Sequence, residues 1–217
     1  MYDLLLKGAR VIDPASRVNR TCDVAVSEGR IAAMTEEIPP DRAKRFLDVR
    51  DHIVSPGLID IHAHVYAGVT TWGIKADSVC PRTGVTTVVD AGSPSWATLP
   101  GFRDYIAAPA KTRILTYVNI SGIGLVYGPD GEMLDLAFAD PERTAGAIVE
   151  NPDLAVGVKV RQGKNQVGAN GLEPLRLAIR AADLAKIPVM GHIGSGVPLP
   201  DILNLLRPGD VLTHCFH

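Results

Sequence analysis

From residue 56 onward the chain repeats one pattern, a short run of Val, Ile and Leu followed by a stretch with helical spacing. The runs are GLIDIHAHVY, GVTTVVDAGS, TRILTYVNISG, LAVGVKVRQG, IPVMGHIG and DVLTHCFH. Strands that are apolar nearly throughout must be covered on both faces, and a parallel sheet with crossover helices does this. The intervening stretches fit. WATLPGFRDYIAA follows Ser95. PERTAGAIVEN follows Asp140, an N-cap residue with Pro141 at the first helical position. LEPLRLAIRAADLAK sets Leu175, Ile179, Ala182 and then Leu184 or Ala185 on one stripe, and LPDILNLLR is the last.

Residues 1 to 55 read differently. LLLKGARVI, DVAVSEGRIAAM and RFLDVRDHIV are short β-type runs punctuated by Gly8, Gly29 and the Pro39-Pro40 pair. They predict a small β unit built of hairpins, with no helix of useful length. The expected division is therefore 1–55 and 56–217.

Composition narrows the partners. Among 217 residues, 22 Lys and Arg face 24 Asp and Glu, a net charge of −2. Such a balance offers no basic footprint for nucleic acid or for an anionic membrane. Cys22, Cys80 and Cys215 are too few and too far apart for a disulfide framework, and fit a reducing cytosol. The apolar run in MYDLLLKGARVID is short for a signal peptide, and no window is long enough to span a bilayer. The expectation is a cytoplasmic globular protein with a small-molecule substrate; a homo-oligomer is compatible with it.

Each apolar run carries its unusual residue near its C-terminal end: His62 and His64, Asp90, Asn119, Lys159, His192, His214. A β/α barrel forms its active site from the C-terminal ends of all its strands, whereas a doubly wound sheet uses only a switch point. Polar groups on every successive strand favour the barrel. Period-two geometry puts His62 and His64 on one strand face, with Asp60 below them. Two neutral imidazoles so held are either satisfied core histidines or ligands of a borderline metal such as zinc. His192 and His214 on later strands tip the reading to metal. Lys159 inside an apolar strand is costly unless paired or modified. Beside four strand-end histidines, it reads as functional, with burial depressing its pKa.

These motifs together resemble the amidohydrolase superfamily: VSPGLIDIHAH, a lysine on a middle strand, then single histidines on the next two strands. VKVRQG, VGANGLEPLRLA and LTHCFH are similar to its dihydroorotase-like amidohydrolase/deacetylase branch. The resemblance implies a (β/α)8 TIM-type barrel beside a small β-sandwich, of which residues 1–55 would be the N-terminal part. It implies two divalent ions, zinc the first choice. His62 and His64 would bind one and His192 and His214 the other. Lys159, carbamylated, would bridge them. It further implies hydroxide attack on a carbonyl, with an aspartate at the end of the eighth strand moving the proton.

That aspartate is not found here, since the sequence runs only just past a sixth strand. Barrel strands of this family number eight, so about six are expected, and no catalytic acid–base is assigned. Asp60, Asp77 and Asp90 do not match the family position. Asp60 is expected to orient a ligand histidine from behind, Asp90 to hydrogen-bond at the barrel top, and His52 and His217 to have structural or surface roles. Arg161 either grips a substrate carboxylate or stands outward in solvent. The expected function is hydrolysis of a C–N or ester bond in a small acylated substrate, with deacetylation of an N-acetyl amino acid or acetylated hydroxy acid foremost. Dihydroorotase or another cyclic-amidase activity is the alternative, disfavoured because HAHVYAG lacks an arginine soon after the histidine pair. An inactive fragment or structural subunit is the other.

Overall fold

The computed structural model describes residues 1–128 and 131–216. Two compact units are present, Met1–Leu58 and Ile59–His217.

In the first unit, β1 (Leu4–Asp13) pairs antiparallel with β2 (Val18–Ser27), and β2 pairs antiparallel with β3 (Arg30–Thr35). The hairpins expected from the sequence are these. β4 (Phe46–Asp48) and β5 (Ile53–Val54) return to β1 and pair with it in parallel, so the five strands make one mixed sheet. A bulge between Leu6 and Ala9 contains Gly8 at φ +79°, a left-handed backbone that glycine adopts freely. Beside it, buried Asp23 accepts from the Lys7 ammonium (3.0 Å), the Gly8 N–H (2.7 Å) and the Ile38 N–H (2.8 Å). That carboxylate stitches the bulge to the segment after β3.

The second unit is a six-stranded sheet in the order β11-β10-β9-β8-β7-β6: β6 (Leu58–Ala63), β7 (Val85–Asp90), β8 (Arg113–Asn119), β9 (Ala155–Arg161), β10 (Val189–His192) and β11 (Val211–Thr213). Spatial order follows chain order, and the pairs from β7 to β11 are all parallel. This is an incomplete TIM-type barrel. Parallel neighbours need crossovers. Helices Pro141–Val149 and Glu173–Ala185 supply two of them and pack on the sheet. Asp140 caps the first by accepting the Arg143 N–H at 2.9 Å. The stretch after Ser95 is shorter than expected, an α turn at Leu99–Phe102 continued by a π turn at Arg103–Ala107.

Alternation divides the sheet. Val88, Ile114, Val118, Val158, Val160 and Val189 pack with Leu175, Ala178 and Ala182 of the longest helix in the main core. Val89, Tyr117, Met190 and Val211 form a separate cluster. Lys159 alternates with Val158 and Val160 and so points away from the helices. Among the described residues no helix is long and apolar enough to cross a membrane.

Candidate metal centre

Four histidines meet at one end of the six-stranded sheet. His62 lies in β6 and His64 just after it; His192 ends β10; His214 follows β11 with a left-handed backbone, φ +65°. Ring centroids are 5.6 Å apart for His62 and His64, 4.9 Å for His62 and His214, and 4.4 Å for His192 and His214. Strand register explains the convergence. His192 is paired with Thr213, so the turn after β11 brings His214 beside it. On β9, Arg161 is paired with His192 and Lys159 with Met190, which places Lys159 two residues deeper in the sheet.

Three of the histidines and Lys159 are held towards their neutral forms. Burial first, and the Lys159 charge second, lower the pKa of His62 to about 4 and those of His64 and His192 to about 3. Burial, then Arg161, lowers Lys159 to about 7, against the opposing pull of Asp90 and Glu132. Lys159 is 1% exposed, and among the described residues its Nζ has no hydrogen-bond partner. A buried orphan amine costs free energy.

The imidazoles are also fixed from behind. Nδ1 of His62 lies 2.6 Å from Thr213 Oγ1, and Nδ1 of His64 lies 2.9 Å from Ser93 Oγ. With Nδ1 so engaged, Nε2 is the nitrogen left for a metal. Neutral imidazoles suit zinc and its neighbours, and an amine without a partner beside them suits conversion to a further ligand. The donor chemistry therefore fits a divalent ion. The rings themselves pack edge to face, and no three His, Cys, Asp or Glu side chains among the described residues are arranged as a metal cage.

The remaining residues take other places. Asp60 is exposed and accepts the backbone N–H of His62 at 2.9 Å, so it steadies the main chain while Thr213 and Ser93 touch the rings. Arg161 is buried and meets buried Glu132 in a two-pronged pair, Nε to Oε1 at 2.9 Å and Nη2 to Oε2 at 2.6 Å. Its Nη2 also donates to the Gly128 carbonyl (2.9 Å), and the guanidinium stands 5.6 Å over the ring of Trp72. The carboxylate that Arg161 holds thus belongs to the chain itself. Trp72 in turn lies 5.8 Å from the His64 ring. Asp90 is fully buried and accepts the N–H groups of Val65 (2.7 Å) and Ser93 (2.6 Å); burial nonetheless pushes its pKa up to about 6. Asp77 accepts the N–H groups of Lys111 and Thr112 ahead of β8. His52 contacts the Arg50 carbonyl in the first unit, and His217 lies outside the described residues.

Ser93, Thr213 and Glu132 escaped the sequence reading. For Ser93 and Thr213 a signal existed: one follows Asp90 by three residues and the other directly precedes His214. Glu132 had none, since its loop has no period. A cleft of about 430 Å³ opens beside His62, Thr213 and His214, walled by Ile61, Met190 and Leu212. The larger cleft of the first unit, about 770 Å³, is lined by Arg10, Asp48, Arg50 and His52 and gathers no comparable buried donors.

No family model matches the sequence. It is 36% identical over 192 residues to a protein of Agrobacterium fabrum named a deacetylase, an alignment covering 88% of this chain and 47% of that one. A solved structure described as a dihydroorotase is 32% identical and superposes with a TM-score of 0.91 over 100% of this chain and 57% of its own. A D-aminoacylase whose binuclear metal centre has been studied shares the fold, with 20% identity and a TM-score of 0.57 over 88% of this chain and 51% of its own. The chain spans about half the length of the curated relatives it matches. With the parallel sheet and strand-end histidines already described, these likenesses agree: the chain belongs to the amidohydrolase superfamily, as a homologue of proteins named deacetylase and dihydroorotase.

Proposed function

We propose that this protein is a metal-dependent hydrolase that cleaves an amide C–N or ester bond in a small acylated substrate, with deacetylation as its reaction. The observation that carries the reading is Lys159, a buried amine with no hydrogen-bond partner among the described residues, beside four histidines of which three are held towards the neutral form. The deacetylase-named relative supports the reaction class.

Two divalent ions, zinc by preference of the donors, would be held by His62 with His64 and by His192 with His214. Lys159 would join them as its carbamate, formed when the amine nitrogen attacks carbon dioxide and releases a proton. When bound, such ions supply Lewis acidity and lower the pKa of water towards neutrality. The chain's own residues do the rest. Thr213 and Ser93 hold the rings of His62 and His64. The Arg161–Glu132 pair, with Trp72 stacked on it, fixes the loop wall beside His64. Ile61, Met190 and Leu212 line the cleft beside His62 and His214 and give it an apolar wall.

Hydrolysis of a cyclic amide is the second reading, favoured by the close superposition on a dihydroorotase. Assay of the metal-loaded protein against N-acetyl amino acids, acetylated hydroxy acids and dihydroorotate separates them. Turnover of an acetyl substrate that chelation abolishes and zinc restores is the expected result. Turnover of dihydroorotate alone would favour the second reading, and activity indifferent to chelation would overturn both.

A further inference from the structure

We propose that Trp72 is a specificity-determining residue of the site, the wall against which a flat apolar group beside the scissile acyl bond packs. That the ligand is an acylated substrate rests on the hydrolase reading above; that the ring is a binding wall does not.

Trp72 lies in the segment that runs on from His64, and the two rings are 5.8 Å apart. Backbone bonds fold that segment back on the site. The Ile74 N–H donates to the His64 carbonyl (2.9 Å), the Gly73 N–H to the Thr70 carbonyl (3.1 Å), and the Trp72 N–H to Oγ1 of buried Thr70 (3.2 Å). The fold-back needs glycine after the tryptophan, because a Cβ on Gly73 would collide with the Tyr66 carbonyl. Two other elements then clamp the indole. From β9 the Arg161 guanidinium stands over the ring. From the loop after β8 comes Gly128, where a methyl group would collide with the benzene half of the indole, and whose carbonyl accepts from Arg161.

A ring held from three directions nevertheless stays 43% exposed. A lone exposed apolar side chain is ordinary. A clamped one beside a candidate metal ligand is a surface already ordered for contact, and it costs no further side-chain freedom when something binds to it. Its Nε1–H has no acceptor among the described residues. Trp72 therefore offers a large apolar body and one unused donor. Indoles take other rings in offset or edge-on contact, and the N–H takes a carbonyl or carboxylate oxygen. The matching substrate carries an aromatic group next to its acyl bond. A methyl group in that place would leave most of the indole in water.

Two measurements on the zinc-loaded protein test this. In the first, kcat/KM is compared for N-acetylphenylalanine and N-acetylalanine. The wild type should prefer N-acetylphenylalanine. Trp72→Ala should shrink that preference about tenfold or more, and Trp72→Phe, which keeps a ring, should retain most of it. The second needs no turnover. The chain has two tryptophans, so in a Trp96→Phe protein Trp72 is the only one left. Phenylacetate should perturb its fluorescence at concentrations where acetate does not. An unchanged preference in Trp72→Ala, or a fluorescence indifferent to phenylacetate, overturns the proposal. A response to phenylacetate in a protein that hydrolyses neither substrate would overturn the hydrolase reading and leave Trp72 as a ligand wall.

Discussion

Gly92 lies directly against Lys159. A methyl group on Gly92 would stand 2.3 Å from Lys159 Cβ and 2.4 Å from its Cγ, and the glycine backbone is left-handed at φ +85°. The turn after β7 can approach the lysine stem only because it has no side chain there. Gly92→Ala should therefore lose about 1–2 kcal/mol to the backbone and about 1–3 kcal/mol to overpacking. Urea unfolding checks the sum, and metal content should fall with it as Lys159 is displaced.

The Arg161–Glu132 pair is buried on both sides. Removing one partner leaves a bare charge in the interior, so Glu132→Gln or Arg161→Met should each cost about 3–5 kcal/mol. The double variant should cost less than the sum of the two. A double-mutant cycle by denaturant midpoint measures the coupling, and additive losses would show that the two charges do not act as a pair.

Asp23 gives the first unit a pH dependence. Burial alone would raise its pKa, but the Ile38 N–H, the Lys7 ammonium and the Gly8 N–H together hold it below the ordinary 3.8. A depressed folded pKa contributes stability that is fully present above 3.8 and is lost as pH falls through the lower folded value. Asp23→Asn should lower the stability of this unit at pH 7 and flatten its decline in acid. Urea midpoints at pH 7 and in the acid range test the sign.

Lys186 closes the longest helix in a left-handed conformation, φ 57° and ψ 46°, its N–H bonded to the Ala182 carbonyl. Glycine takes this position without strain. Lys186→Gly should stabilise the protein by about 0.5–1 kcal/mol, the lost left-handed cost of about 1–2 kcal/mol less the entropy glycine gives the unfolded chain. A raised thermal midpoint is the expected readout.

How much of this could be read beforehand follows from range along the chain. The apolar runs 84–93 and 154–163 announce strands because periodicity is local, and His192 and His214 stand out because strand ends are local too. Asp140 and Pro141 likewise announce their helix. The return of β4 and β5 to pair in parallel with β1 joins segments some forty residues apart, and no local pattern encodes it. Glu132 reaches Arg161 across 29 positions from a loop without period. Thr213 meets His62 across 151, through a single hydroxyl that no spacing rule singles out. Asp60 shows the converse. Its place two residues before His62 was plain, but the bond it makes is to backbone, which only geometry decides.

The proposed function stands on Lys159 sharing a metal centre with the four histidines. Metal analysis of Lys159→Ala beside the wild type, both reconstituted with zinc and bicarbonate, tests it most directly. Two ions per chain are expected in the wild type and loss of both in Lys159→Ala, with partial recovery on adding a short carboxylic acid. Equal metal content in the two proteins would contradict it and make Lys159 a structural residue.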